Sequence, residues 1–166
     1  MDTAVDLHLS TLDSFFNRVV AAQLGTQVHA LLEQITWWDP ETVPEWFRNP
    51  QTQAERMTAC ALRMPEVQEL LREFPGALVY NEQSVEAVTD STWTSAVIDR
   101  LVIYPDGSAL IVDYKTDRDT SRESMLAAHA SQMQSYRALI SAALSIPPER
   151  VAVKLLVVRD GSVYSL

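Results

Sequence analysis

The stretch "AVIDRLVIYPDGSALIVDYKTDR", residues 96–118, decides the fold. Two apolar runs flank a Pro105-Asp106-Gly107 turn, a pattern that predicts a β-hairpin. Each run carries an aspartate, Asp99 in the first and Asp113 in the second. A carboxylate inside an apolar strand is costly unless a cation sits beside it. Lys115 follows Asp113 by two residues and so shares its face of the strand. Asp99 reaches that segment only through an offset pairing or a bulge. A salt bridge of Lys115 with Asp99 or Asp113 would settle one carboxylate. A divalent cation held by both would settle the pair and leave Lys115 to hold or polarise a water. The hairpin alone leaves both readings open.

Outward from the hairpin, "ALVYNEQSVEAV" (77–88) reads as a preceding strand. A helix is predicted from about 121 to 144, ended by Ser145-Ile146-Pro147-Pro148. "RVAVKLLVV" (150–158), an Asp160-Gly161 turn and a short final strand close the chain. Upstream, apolar residues recur at helical spacing over 11–35, with Ser10 or Thr11 as the cap and Gly25 as a division into two helices. "WWDPETVPEWFRNP" (37–50) reads as an irregular connection. Two short helices, 51–63 and 66–73, are separated at Pro65 and ended by Pro75-Gly76. The 166 residues thus predict one α/β domain with a central mixed sheet and flanking helices. Its helical N-terminal part covers about 1–75 and its sheet-and-helix core about 76–166. No internal repeat or low-complexity segment interrupts it.

The composition, 47% hydrophobic and 21% charged, is that of a soluble globular protein. No apolar run approaches the ~20 residues of a membrane span. The acidic start "MDTAVD" is unlike a signal peptide, so a cytoplasmic location is expected. The single cysteine, Cys60, excludes a disulfide, a four-cysteine zinc site and a cysteine-ligated iron–sulfur cluster within the chain; it reads as a small buried thiol on a helix. With 4 glycines and no G-x-x-x-x-G-K-[ST], the chain holds no phosphate-binding loop and implies no nucleotide cofactor. A net charge of −9 argues against a protein that coats nucleic acid. It is compatible with an acidic site neutralised by divalent ions. Weak grip on DNA is expected, with a larger partner delivering any such substrate.

Three other segments carry polar groups on apolar faces. His29 lies in a stripe with Val28, Leu32 and Ile35 and faces the interior, where a lone histidine is ordinarily a satisfied core residue. Gln132 and Tyr136, four apart, share one helix face and either serve a site or tie the helix to the sheet. Trp37, Trp38, Trp46 and Phe47 can stack on unpaired bases, but are read here as plugging the core.

Together these segments form an ordered set: Gly25-Thr26-x-Val28-His29, an acidic strand, Ile98-Asp99-Arg100, Asp113-Tyr114-Lys115-Thr116, and Gln132-x-x-x-Tyr136. The set resembles the RecB/AddA branch of the PD-(D/E)XK nuclease superfamily over about residues 24–158. The resemblance implies a restriction-endonuclease-like fold and metal-dependent hydrolysis of phosphodiester bonds in DNA. It makes His29, Asp99 and Asp113 metal ligands, with the Tyr114 backbone carbonyl completing the set. Asp99, Asp113 and Lys115 become catalytic, while Gln132 and Tyr136 support the site and contact the DNA strand. Glu82 is a candidate additional acid, and Glu86 is an equally visible one. The implied ion is Mg²⁺ or Mn²⁺, with no iron–sulfur cluster.

The implied substrate is single-stranded DNA or DNA ends, in repair or recombination, with a superfamily 1 helicase chain or subunit as partner and no membrane. "STLDSFFNRVV" (10–20) faintly resembles a helicase segment of such proteins, but is read here as an amphipathic helix. Ala96 stands where the family has glycine, which bears on the level of activity more than on the fold. A nuclease-fold DNA-binding or structural module without turnover is the competing function. The presence of His29, Asp99, Asp113 and Lys115 together weighs against it. A restriction-type enzyme would need a basic, sequence-reading insertion that is absent. A neutral His29 is required for metal binding, so activity should fail in acid.

Overall fold

A computed structural model describes residues 3–166, with side chains from residue 13 onward. Five strands form one mixed sheet in the order β1-β2-β3-β4-β5: β1 Leu78–Thr89, β2 Thr92–Ile103, β3 Ala109–Lys115, β4 Val151–Val157 and β5 Ser162–Ser165. Neighbours pair antiparallel except β3 and β4, which run parallel. A parallel pair needs a crossover, here the helix α5, Arg122–Leu144. Ser121 caps its start by accepting from the Ser124 N–H, and Ser145 ends it in the left-handed region at φ 54°.

β3 has apolar residues on both faces because helices cover both. Leu110, Val112 and Tyr114 meet one layer; Ala109 and Ile111 meet the other. The first layer contains α1 (Thr3–Glu33), α3 (Gln53–Leu62) and α4 (Pro65–Leu71). The second is α5, seated through Met125, Met133 and Ile140. The fold is α/β with helices flanking a mixed sheet, as the sequence predicts. Among the described residues no helix is long and apolar enough to cross a membrane.

Three local expectations are corrected. Gly25 does not divide α1, which runs unbroken from Thr3, ahead of Ser10 and Thr11. Glycine costs a helix about 1 kcal/mol. Burial of Leu24, Val28, Leu32 and Ile35 outweighs this, at roughly 1.5–3 kcal/mol per large side chain. A Cβ there would lie 3.4 Å from Thr116 Oγ1, at the edge of ordinary van der Waals contact. Cys60 is exposed, because α3 turns Ala54, Thr58, Ala61 and Leu62 to the core and Cys60 away. The connection at 37–50 contains a short helix α2, Glu45–Arg48. Its aromatics pack on the α1-side core as expected, Trp38 edge-on to Phe47.

Candidate active site

The site forms where β2 and β3 part. Their pairing runs without offset to Arg100–Val112, and one more step sets Asp99 opposite Asp113. Neither the offset nor the bulge expected for this pair is present. Instead the Tyr114 N–H donates to Asp99 Oδ2 at 2.7 Å, turning the ladder into a side-chain contact. On the other side of β2 the register carries Asn81–Arg100 and Gln83–Ile98, which places Glu82 opposite Asp99. Glu82 sits at φ 48°, a left-handed conformation that a non-glycine residue rarely adopts. Three carboxylates therefore lie at one level on β1, β2 and β3.

α1 crosses this level and brings His29. Its Nε2 lies 3.0 Å from the Tyr114 carbonyl, and its Nδ1 lies 3.4 Å from Asp99 Oδ1 and 3.9 Å from Glu82 Oε1. The position of α1 is fixed from beneath by Arg100. That guanidinium is fully buried, donating from Nη1 to the Ile35 carbonyl at 2.8 Å and from Nη2 to the Thr36 carbonyl at 2.5 Å. It also stacks on Trp37 at 5.2 Å. Arg100 thus closes the C-terminal end of α1 and holds His29 over Asp99.

β3 supplies the rest. Lys115 Nζ lies 2.9 Å from Asp113 Oδ2 and donates to Gln132 Oε1 at 3.0 Å. Gln132 Nε2 in turn donates to the Tyr136 hydroxyl at 2.9 Å. The lysine is thereby held between β3 and α5, and the amide orientation follows from its two partners.

The electrostatics match the geometry. Burial pushes the Asp113 carboxyl above its ordinary value, offset in part by Lys115. Burial and the neighbouring Asp99 charge raise Glu82. The hydrogen bond to Asp99 raises His29, against the opposing effect of burial. Tyr136 is pushed up to about 12, first by burial and then by the Asp113 and Asp99 charges. The acids are crowded, and they would ionise more readily beside an added cation.

The residues fit a hard divalent ion. Ligand atoms of His29, Glu82 and Asp99 all lie within 4.8 Å of one another, and oxygen donors predominate. The candidate acid Glu82 stands with His29 and Asp99 in this group, while Asp113 Oδ2 lies 2.9 Å from Lys115 Nζ and the Tyr114 carbonyl faces His29 Nε2. Glu86 pairs with Ser95, four residues up β1 and about 13 Å away along the strand. Sequence reasoning named Arg100 only as part of a motif. Its signal was a charged residue within an apolar run.

A family model described as the PD-(D/E)XK nuclease superfamily matches residues 7–163. The chain belongs to that superfamily. Its members are generally metal-dependent nucleases. The D-x-K of the superfamily's name stands here as Asp113-Tyr114-Lys115. No curated protein matches the chain.

Proposed function

We propose that the chain is a divalent-metal-dependent deoxyribonuclease that hydrolyses phosphodiester bonds in single strands or at DNA ends. The observation that carries this is the level arrangement of Glu82, Asp99 and Asp113 under His29, with Lys115 fixed beside Asp113. His29, Glu82 and Asp99 would hold Mg²⁺ or Mn²⁺, with Asp113 on the neighbouring strand. When bound, the ion supplies Lewis-acid polarisation of a phosphoryl oxygen and lowers the pKa of a water. Lys115 Nζ lies 2.9 Å from Asp113 Oδ2 and donates to Gln132 Oε1, which leaves it a further N–H to offer. That N–H orients the attacking water or meets the developing charge on the phosphate. Gln132 and Tyr136 fix the lysine's direction and present a polar edge to the strand.

His29 comes from the N-terminal helix and the other groups from the sheet and α5, which supports reading residues 1–166 as one domain. The net charge of −9 supports delivery of DNA by a partner, for which a superfamily 1 helicase in repair or recombination is the candidate, in the cytoplasm.

The test is cleavage of end-labelled single-stranded DNA, linear duplex and closed single-stranded circles, in Mg²⁺, Mn²⁺ or EDTA, beside Asp113→Ala and Lys115→Ala. Metal-dependent cutting lost in both variants supports the assignment, and cutting of circles adds endonuclease action. Folded protein that binds metal and DNA without cutting in any condition would favour a catalytically silent module.

A further inference from the structure

The β1–β2 hairpin continues well past the carboxylates, and among the described residues nothing covers one of its faces. α1 reaches only the foot, at His29–Asp99 and where Asn81 Nδ2 donates to the Glu33 carbonyl at 2.9 Å. Above that, Val85, Ala96 and Ile98 turn to the α5 core. The opposite face carries three exposed cross-strand pairs in succession: Ser84–Val97, Glu86–Ser95 and Val88–Trp93. The period of two makes Glu82 and Asp99 the next pair of the same series. The face therefore ends in the site. Trp93, 66% exposed, is the most exposed large apolar side chain among the described residues.

Isolated surface hydrophobics are ordinary. Here Val88 and Trp93 lie directly opposite one another, Val97 follows two pairs along, and the row leads to the carboxylates. We propose that this face is a track for the bases of an unpaired DNA strand, with Trp93 stacking on a base upstream or downstream of the bond cut. The proposal rests on the nuclease reading above and specifies which strand that site accepts. The chemistry favours bases over phosphates. Between Leu78 and Ile103 the only Lys or Arg is Arg100, which is fully buried, and Glu86 repels phosphate. Trp93, Val88 and Val97 offer apolar surface to base faces, while Ser84, Ser95 and Glu86 offer hydrogen bonds to base edges. A duplex turns its phosphates outward and cannot present bases in this way. Six residues of β2 separate Trp93 from Asp99, about 20 Å. That is the reach of about six nucleotides at stacked spacing.

The test uses unstructured single-stranded oligonucleotides extending different lengths from the cut, on wild type, Trp93→Ala and Trp93→Phe. Expected is a KM that falls as the strand lengthens to about six nucleotides, a fall absent in Trp93→Ala and largely restored in Trp93→Phe. The difference on the longest strand is about 5- to 100-fold. It persists from low to high salt, since stacking releases no counterions. A 20-mer in EDTA should quench wild-type tryptophan fluorescence far more than that of Trp93→Phe, because Trp37, Trp38 and Trp46 pack on the core. Cutting of short strands with identical length dependence in all three proteins, and no quench, would overturn the track and keep the nuclease. An effect confined to low salt, or Trp93 buried in a concentration-dependent dimer, would also overturn it. Quenching without cleavage of any strand would keep the track and sink the nuclease reading, and neither signal would sink both.

Discussion

On the β1–β2 side of the site, His29, Glu82 and Asp99 gather two carboxylates around one imidazole, with no lysine or arginine within ion-pair distance among the described residues. On the α5 side, Lys115 is held by Asp113 and Gln132, and Gln132 by Tyr136, so that a cation already has its partners. The first half is under-neutralised and needs a positive charge from outside. The second is neutralised and rigid before any substrate arrives. We propose that the first half binds the ion and the second orients the reacting groups, and substitutions in each half should separate the two.

Lys115→Ala should have the largest effect, slowing cleavage by about 10²–10³-fold or more. Its metal-induced rise in melting temperature should persist, which a calorimetric scan with and without Mn²⁺ would check. Arg100→Met should act through α1, leaving the Ile35 and Thr36 carbonyls without their donor at about 1–3 kcal/mol each. Urea denaturation should show that loss, with weaker metal binding through a displaced His29.

Asp99→Asn should abolish the metal response. In wild type, metal at 100 times its Kd contributes about 2.7 kcal/mol, or about 5–10 °C for a chain of this size. The metal-free variant should melt no lower than wild type, because it loses a like charge beside Glu82. A marked fall would mean that Asp99 is chiefly a structural acceptor for the Tyr114 N–H.

The pH dependence has a definite sign. His29 is raised in the folded state, so its stabilisation is complete below about pH 6.5 and is lost as pH rises through the folded value. Glu82 and Asp113 are also raised, and their burial cost appears as pH climbs past the ordinary carboxylate range. All three make the metal-free protein less stable toward neutral pH. Metal binding opposes them, requiring neutral His29 and ionised acids. The metal-induced melting shift should therefore grow from pH 5 to pH 8, and a flat or inverse profile would break the comparison.

Much of this was legible in the sequence for a physical reason. Aspartates inside apolar strands and a lysine two residues on are costly features, and they marked Asp99, Asp113 and Lys115. Helical spacing likewise gave His29 an inward direction. Other features depend on tertiary contacts. Glu82 and Glu86 share one strand face by parity, and only the register, which sets Glu82 opposite Asp99 and Glu86 opposite Ser95, separates them. The break expected at Gly25 followed local propensity, whereas burial of Leu24, Val28, Leu32 and Ile35 decided the helix. Arg100 looked like a mere neighbour of Asp99, and its contacts lie at the C-terminal end of α1.

Tyr136→Phe should have the smallest effect. It removes one hydrogen bond from Gln132, worth about 1 kcal/mol, and should slow cleavage a few-fold without changing the metal response.

The central claim is that metal held by the His29 half serves a reaction directed by the Lys115 half. The most direct test is the rate of single-stranded DNA cleavage across a Mg²⁺ titration for wild type, His29→Ala and Asp99→Asn. The account predicts no cutting in EDTA, saturable activation in wild type, and activation displaced to much higher Mg²⁺ or lost in both variants. Cutting in EDTA, or three superimposable activation curves, would contradict it.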